Sequence, residues 1–440
     1  MSLKAQILKS FVLSFLFVFL FFVFLFYAPF LLDFNPNSFR YAPKNDFFLF
    51  YISYFHSIPL PNSFSGALKE NDLLSKTVHL FEGEIKGPES IAAFNGDVYT
   101  ALADGRVIRV RDDAYTVVAD VSESPCEGRW DEAKCGHPLG IRFDSKGYLY
   151  FIDAYHGLKR LDLVSKELTT VFNISTQANG RASKLFDDFV IDEAAGAKGG
   201  NVYYMTDVSD KWPLDHILYC AAEHNKNGRV LKYDEETKTT SVLVERLSFP
   251  NGIELNDAKD ALIVAVANER RLIKIQIKGS EAGKVETFLD LLPGEPDNIR
   301  RSVDEKQTFW VAFAIARNSS HPTVLDIFSN KPMLRKVVLR FIHALGSTLQ
   351  YFGSLTNFVP LIDFGHKVKT ELLVDFLMLI TRLHGLVIEV DSNGKIVRSL
   401  HSPDGHTFLS SEAREVIEGS RKVLYIGSFL NNYLGKLYLN

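Results

Sequence analysis

Hydrophobic residues fall along this chain in two different patterns. From Phe11 to Leu32 nearly every position is apolar, interrupted only by Ser14 and Pro29. Such a run is long enough for a helix to span a bilayer's hydrocarbon, which takes roughly twenty residues. No face of it is polar, which argues against a helix half-buried in a core. No small-x-small cleavage site follows it, which argues against a signal peptide that is removed. The run predicts a transmembrane signal anchor over 11–32, after a cytosolic N-terminus over 1–10. Lys4 and Lys9 precede it, while Asp33, Arg40, Lys44 and Asp46 follow. By the positive-inside rule the body then lies in the lumen or outside, as a single-pass type II membrane protein of the endoplasmic reticulum or cell surface. Residues 33–74 read as a linker or membrane-proximal segment. Its aromatic patch, Phe47 to Tyr54, lies either at the membrane interface or against the folded body.

From residue 75 onward the pattern becomes paired strand-like runs separated by Gly, Asp and Asn turns. The pairs are Asp97–Leu102 with Gly105–Val110, Gly147–Asp153 with Gly157–Asp162, Val202–Asp207 with Gly228–Tyr233, and Ala261–Val266 with Leu272–Ile275. A fifth begins at Thr308–Ala312 and resumes at Gly385–Val390, and a sixth pairs Val423–Gly427 with Gly435–Leu439. Repetition at roughly fifty residues predicts an all-β fold over 75–440, a six-bladed β-propeller. A β-sandwich also has many short strands but does not predict this regular spacing. The fifth unit is interrupted over 321–383, where Leu334, Val337, Val338 and Phe341 recur at helical spacing among Lys331, Arg335, Lys336 and Arg340. That predicts a helical insertion in the fifth blade, either capping the blade or resting on a bilayer as a lid or interfacial helix.

The formal net charge of −4 gives no electrostatic case for nucleic acid as a partner. The chain has three cysteines. Cys126 and Cys135 are close enough to bridge a short loop in an oxidising lumen, which leaves Cys220 as a thiol. Asn173-Ile174-Ser175 and Asn318-Ser319-Ser320 are glycosylation sequons, with Asn173 and Asn318 the acceptors.

Four segments carry acidic or amide side chains roughly ten to fifteen residues before a strand-like run: Gly87-Pro88-Glu89-Ser90, Phe186-Asp187-Asp188-Phe189, Phe249-Pro250-Asn251-Gly252 and Glu295-Pro296-Asp297-Asn298. Any one alone reads as a turn. Four in matching slots of a propeller bring Glu89, Asp187, Asn251 and Asp297 to one mouth of the central channel. Three carboxylates and an amide suit calcium, which takes six to eight oxygens; zinc calls for His or Cys. In unit two the slot holds apolar Leu139, and in unit six it falls near Glu412 to Glu415, around Arg414. A metal beside an apolar wall suits a small apolar or aromatic ester or lactone, with Asp297, or Asp188 beside the metal, as general base or nucleophile.

Cys135-Gly136-His137-Pro138-Leu139-Gly140-Ile141, followed by Tyr150-Phe151-Ile152-Asp153-Ala154-Tyr155, resembles the strictosidine synthase-like conserved region. Glu295 to Arg301 with Phe309-Trp310-Val311, then Arg398-Ser399-Leu400-His401 and Pro403-Asp404-Gly405, narrow the likeness to a membrane-anchored, glycosylated branch of that family. The resemblance runs from about Leu74 to Asn440 apart from the long insertion. It implies a six-bladed fold and an arylesterase-type activity. Through the wider superfamily of paraoxonases and gluconolactonases it implies calcium held by Glu89, Asn251, Asp297 and the adjacent Asn298. Asp187-Asp188 stands where paraoxonases have an Asn-Asp pair. The catalytic histidine of paraoxonases falls at Leu139, so their His-based mechanism is not expected. The acid/base glutamate of strictosidine synthases falls at Arg414, so their condensation is not expected either. The leading expectation is a membrane-anchored, calcium-dependent esterase or lactonase. A non-catalytic propeller with a structural calcium, binding protein or lipid, is the alternative, and a strictosidine synthase-type condensing enzyme comes third.

Overall fold

The computed structural model describes residues 3–27, 31–42, 56–59, 64–122, 132–196, 198–303, 307–318, 321–372, 374–375, 378 and 381–439. Phe47 to Tyr54 and Cys126 lie outside these. Six four-stranded antiparallel sheets follow one another along the chain, each with its strands in sequence order from the central axis outward. Blade one runs Ile91–Phe94, Asp97–Ala101, Arg106–Arg111 and Ala114–Asp120. The inner strands of blades two to six are Pro138–Phe143, Leu185–Asp192, Pro250–Leu255, Gly294–Arg301 and Glu412–Glu418. Blade six takes its outermost strand, Val78–Leu80, from the start of the propeller; Leu80 pairs with Leu434 and closes the ring.

The second strand of a blade is covered on both faces by neighbouring blades, so it is apolar throughout rather than alternating. Ala261–Val266 is buried at every position. One apolar cluster fills each blade-to-blade interface. Val190 and Tyr204 of blade three meet Ile253 and Val264 of blade four. Ile263 and Ala265 of blade four meet Ile299, Val311 and Ile388 of blade five. Six such clusters close the circle.

The described helices are α1 (Leu3–Tyr27), α2 (Glu132–Cys135), α3 (Ile217–Glu223), α4 (Val324–Ile327), α5 (Pro332–Thr356) and α6 (Val359–Thr370). A seventh cluster lies above the ring and takes in residues of α3, α4 and α5. Helices α4, α5 and α6 stand between the second and third strands of blade five. α1 begins several residues earlier than the apolar run suggests. The side chains described for α1 run from Val12 to Tyr27. Among the described residues no helix is long and apolar enough to cross a membrane.

Part of the expected linker is not free. Phe34 is fully buried, with its ring against Trp212 and Tyr219. The Asn35 amide donates to Glu223 Oε1 at 2.7 Å, and the Asn37 amide to the Glu223 carbonyl at 2.9 Å. A buried carboxylate needed partners, and the chain just after α1 supplies them.

Candidate functional site

Four inner strands share a local irregularity. Pro138 pairs with Asp153 and Ile141 with Phe151, so three steps on one strand oppose two on the other. The same occurs from Phe186 to Phe189, Pro250 to Ile253, and Pro296 to Ile299. Each is a β-bulge, and proline, which has no N–H to give the ladder, opens three of them. Blade one carries the same pattern, Pro88-Glu89-Ser90-Ile91, immediately before its inner strand.

The bulges sort the intervening residues into two layers. The first of each pair, Glu89, Leu139, Asp187, Asn251 or Asp297, lines the floor of a cavity of about 560 Å³. The second, Ser90, Gly140, Asp188, Gly252 or Asn298, is buried at the axis beneath. Glycine is needed there: a Cβ on Gly140 would lie 2.6 Å from Asp188 Oδ1, and one on Gly252 2.5 Å from Asn298 Cα.

All five predicted metal ligands therefore meet. Asn298 Nδ2 donates to Glu89 Oε1 at 2.8 Å, and Asn251 hydrogen-bonds Asp297. Glu89 Oε2, Asp187 Oδ2, Asn251 Oδ1 and Asn298 Oδ1 are buried without a hydrogen-bond partner. Buried polar atoms without a partner are costly, and four of them gather among these residues. Burial, then repulsion from Asp187 and Asp297, raises Glu89 well above the usual carboxylate range; burial, then repulsion from Asp297 and Asp188, does the same to Asp187. Asp297 is pushed up to about 8, chiefly by burial. Among the described residues, no group of three or more His, Cys, Asp and Glu is placed to hold a metal by those side chains alone. Glu89, Asp187 and Asp297 are three such groups, so the carboxylates alone do not close around an ion, and a metal here would also draw on the amide oxygens of Asn251 and Asn298.

Asp188 is placed differently from expectation. Its Oδ2 accepts from Arg300 Nη1 at 2.6 Å, the Ile253 amide at 3.0 Å and Arg142 Nη2 at 3.4 Å; its Oδ1 accepts from Arg300 Nη2 at 3.2 Å. Burial opposes its charge, but Arg300 and Arg142 outweigh burial and hold it below the ordinary value. With both oxygens taken and no place on the cavity floor, Asp188 is a positioning residue rather than the base or nucleophile expected. Asp297 keeps its place facing the cavity.

In blade six both Glu412 and Arg414 turn toward the axial charges, Arg414 lying within electrostatic reach of Glu412, Glu254, Arg142 and Arg300. Glu412 is fully buried, 2.8 Å from Arg300 Nε, and accepts from Ser90 Oγ at 3.2 Å. Burial raises it to about 7 despite Arg300. Sequence reasoning missed Arg300, and placed the slot of unit six near Glu412 to Glu415 without singling out Glu412. A signal existed: three residues past the slot, Arg142, Glu254 and Arg300 are charged in one frame, and Arg142 pairs with Glu254 at 2.9 Å.

Above the floor the cavity walls are apolar, from Phe249, Leu218 of α3, Leu325 of α4, and Leu334 and Val338 of α5. The remaining expected sites lie elsewhere. Cys135 is disulfide-bonded and Cys220 is a buried free thiol. Asn173 is exposed at the end of an outer strand, whereas Asn318 is 5% exposed and accepts the His321 amide.

Carboxylates and amides from several blades, gathered on bulges beneath an apolar chamber, define a six-bladed propeller with a polar cluster on its axis. Residues 66–110 match the family profile described as "Strictosidine synthase-like, N-terminal", and residues 193–280 match "Strictosidine synthase". Adipocyte plasma membrane-associated protein of Salmo salar is 34% identical over 385 residues, covering 87% of this chain and 83% of the relative. The Homo sapiens protein of that name is 30% identical over 387 residues, covering 87% and 83%. This chain belongs to the adipocyte plasma membrane-associated protein family, among the strictosidine synthase-like proteins. Among solved structures, a gluconolactonase from Xanthomonas campestris shares the fold, with a TM-score of 0.50 at 13% identity over 87% of this chain and 95% of that one.

Proposed function

We propose that the chain is a membrane-anchored, calcium-dependent hydrolase of small apolar or aromatic esters or lactones. The observation that carries this is the set of four unpartnered buried oxygens, three on the floor of an apolar chamber. Glu89, Asp187, Asn251, Asp297 and Asn298 are the residues that would hold calcium; once bound it supplies positive charge to polarise a carbonyl and stabilise an oxyanion. Asp297 is the group placed to take a proton from attacking water, because it faces the chamber and Asn251 fixes it. Leu139, Phe249 and Leu325 receive the apolar part of the substrate. Arg300 holds Asp188 and Glu412 below, which fixes the bulges of blades three and five. A gluconolactonase built on the same fold is consistent with lactone chemistry in such a chamber.

Anchoring rests on the apolar run Phe11–Leu32 of the sequence and on relatives whose name describes plasma-membrane association. Phe15, Phe17 and Tyr27 are 66–72% exposed, as side chains facing lipid are. The test is aryl-ester turnover by the purified chain with calcium, after chelation, and in Asp297→Ala. Turnover should vanish in the last two cases. Full turnover after chelation would remove the metal from the mechanism. Absence of turnover on a broad ester panel, together with a calcium-dependent melting temperature, would favour a structural calcium in a non-catalytic propeller.

A further inference from the structure

α5 is amphipathic, yet its apolar side faces away from the protein. Leu334, Val338, Phe341, Leu345, Phe352 and Leu355 recur at three-, four- and seven-residue steps, which is one stripe along a helix. They are 42–62% exposed. The arginines of the same helix point inward. Arg335 donates to the Ser329 carbonyl at 3.0 Å, and Arg340 to the Leu25 and Phe26 carbonyls at 3.2 and 2.9 Å. A helix folded against a soluble core shows the opposite arrangement.

Two observations say what covers this stripe. It continues onto α1, where Phe21 meets Phe341 edge to face at 6.1 Å, and Arg340 satisfies carbonyls in the last turn of α1. The charge around it is also one-sided: residues 328–362 contain no Asp or Glu, and with Arg335 and Arg340 turned inward the outward cations are the exposed Lys331 and the half-buried Lys336. An exposed apolar stripe with basic flanks suits an anionic lipid surface.

We propose that the outer stripe of α5 seats in the interface of a lipid bilayer beside α1. Leu334 and Val338 belong both to the stripe and to the cavity wall. The mouth of the chamber then opens against the membrane, and molecules dissolved in the bilayer are the ones that reach the site. This rests on anchoring through α1 but not on ester hydrolysis.

The test labels the full chain, reconstituted in phosphatidylcholine–phosphatidylserine vesicles, with a fluorophore on one introduced cysteine at a time. Leu345→Cys and Phe352→Cys probe the stripe, and Phe17→Cys reports the anchor separately. Val164→Cys, 92% exposed on a turn of blade two, is the control away from lipid. Lipids brominated on their acyl chains should quench the two stripe positions at least half as strongly as Phe17→Cys, and leave Val164→Cys unaffected. Quenching confined to Phe17→Cys would overturn the proposal. So would crosslinking of two copies through Leu345→Cys without quenching, because the stripe would then be a contact between chains.

Discussion

Asn298 of blade five donates its side-chain amide to Glu89 of blade one across 2.8 Å, and each keeps a buried oxygen unpaired. The bond orients both groups, so Glu89 Oε2 and Asn298 Oδ1 are held in place before any ion arrives. Preorganisation of this kind raises affinity because little ordering remains to be done on binding. Asn298→Ala removes one oxygen and releases another. We expect calcium affinity to fall about 10- to 100-fold, the usual loss for a partner that orients a ligand. Calorimetry measures it directly, and an unchanged affinity would show that Asn298 lies outside the site.

Arg300 forms ion pairs with both Asp188 and Glu412, at 2.6 and 2.8 Å, and all three are almost fully buried. Removing one partner of a buried pair leaves charge uncompensated, which costs about 3–5 kcal/mol. Arg300→Met should therefore lower the denaturant midpoint by that much stability. The loss should be partly relieved in Arg300→Met with Asp188→Asn, since the second change removes the stranded charge. A double variant no more stable than Arg300→Met would contradict this.

His384 and His401 are buried in blade five and share a ring-to-ring hydrogen bond of 2.9 Å, so only one of the two facing nitrogens carries a proton. Burial, and for His384 the neighbouring His401, lowers them to about 3 and about 4. Both rings are therefore neutral when folded and protonate more readily when unfolded. Their stabilisation is full above the unfolded value near 6.5 and is lost as pH falls from there toward 4. The melting temperature should drop between pH 7 and pH 5, and His401→Asn should flatten that drop. An equal slope in the variant would assign acid sensitivity to other groups.

Much of this molecule was legible in its residues. The propeller shows because apolar second strands recur between glycine turns. The cavity floor shows because Glu89, Asp187, Asn251 and Asp297 each precede a strand in one frame. The bulges were harder to read, since register depends on pairing with Asp153, Asp207, Val266 and Phe313 rather than on the local run. Arg300 and Glu412 looked like ordinary charged strand residues, and only convergence at the axis makes them partners 112 residues apart. Asp188 was misread for the same reason, because its two arginines come from other blades. The direction of α5 was hidden as well: helical spacing reveals a stripe, but not which side the protein covers.

Calcium titrated into metal-free protein, followed by calorimetry, tests the central assignment most directly. One site per chain is expected in the wild type, with binding abolished in Asp297→Ala and strongly weakened in Asn251→Ala. Absence of binding in the wild type, or equal affinity in all three proteins, would contradict a calcium site on the cavity floor.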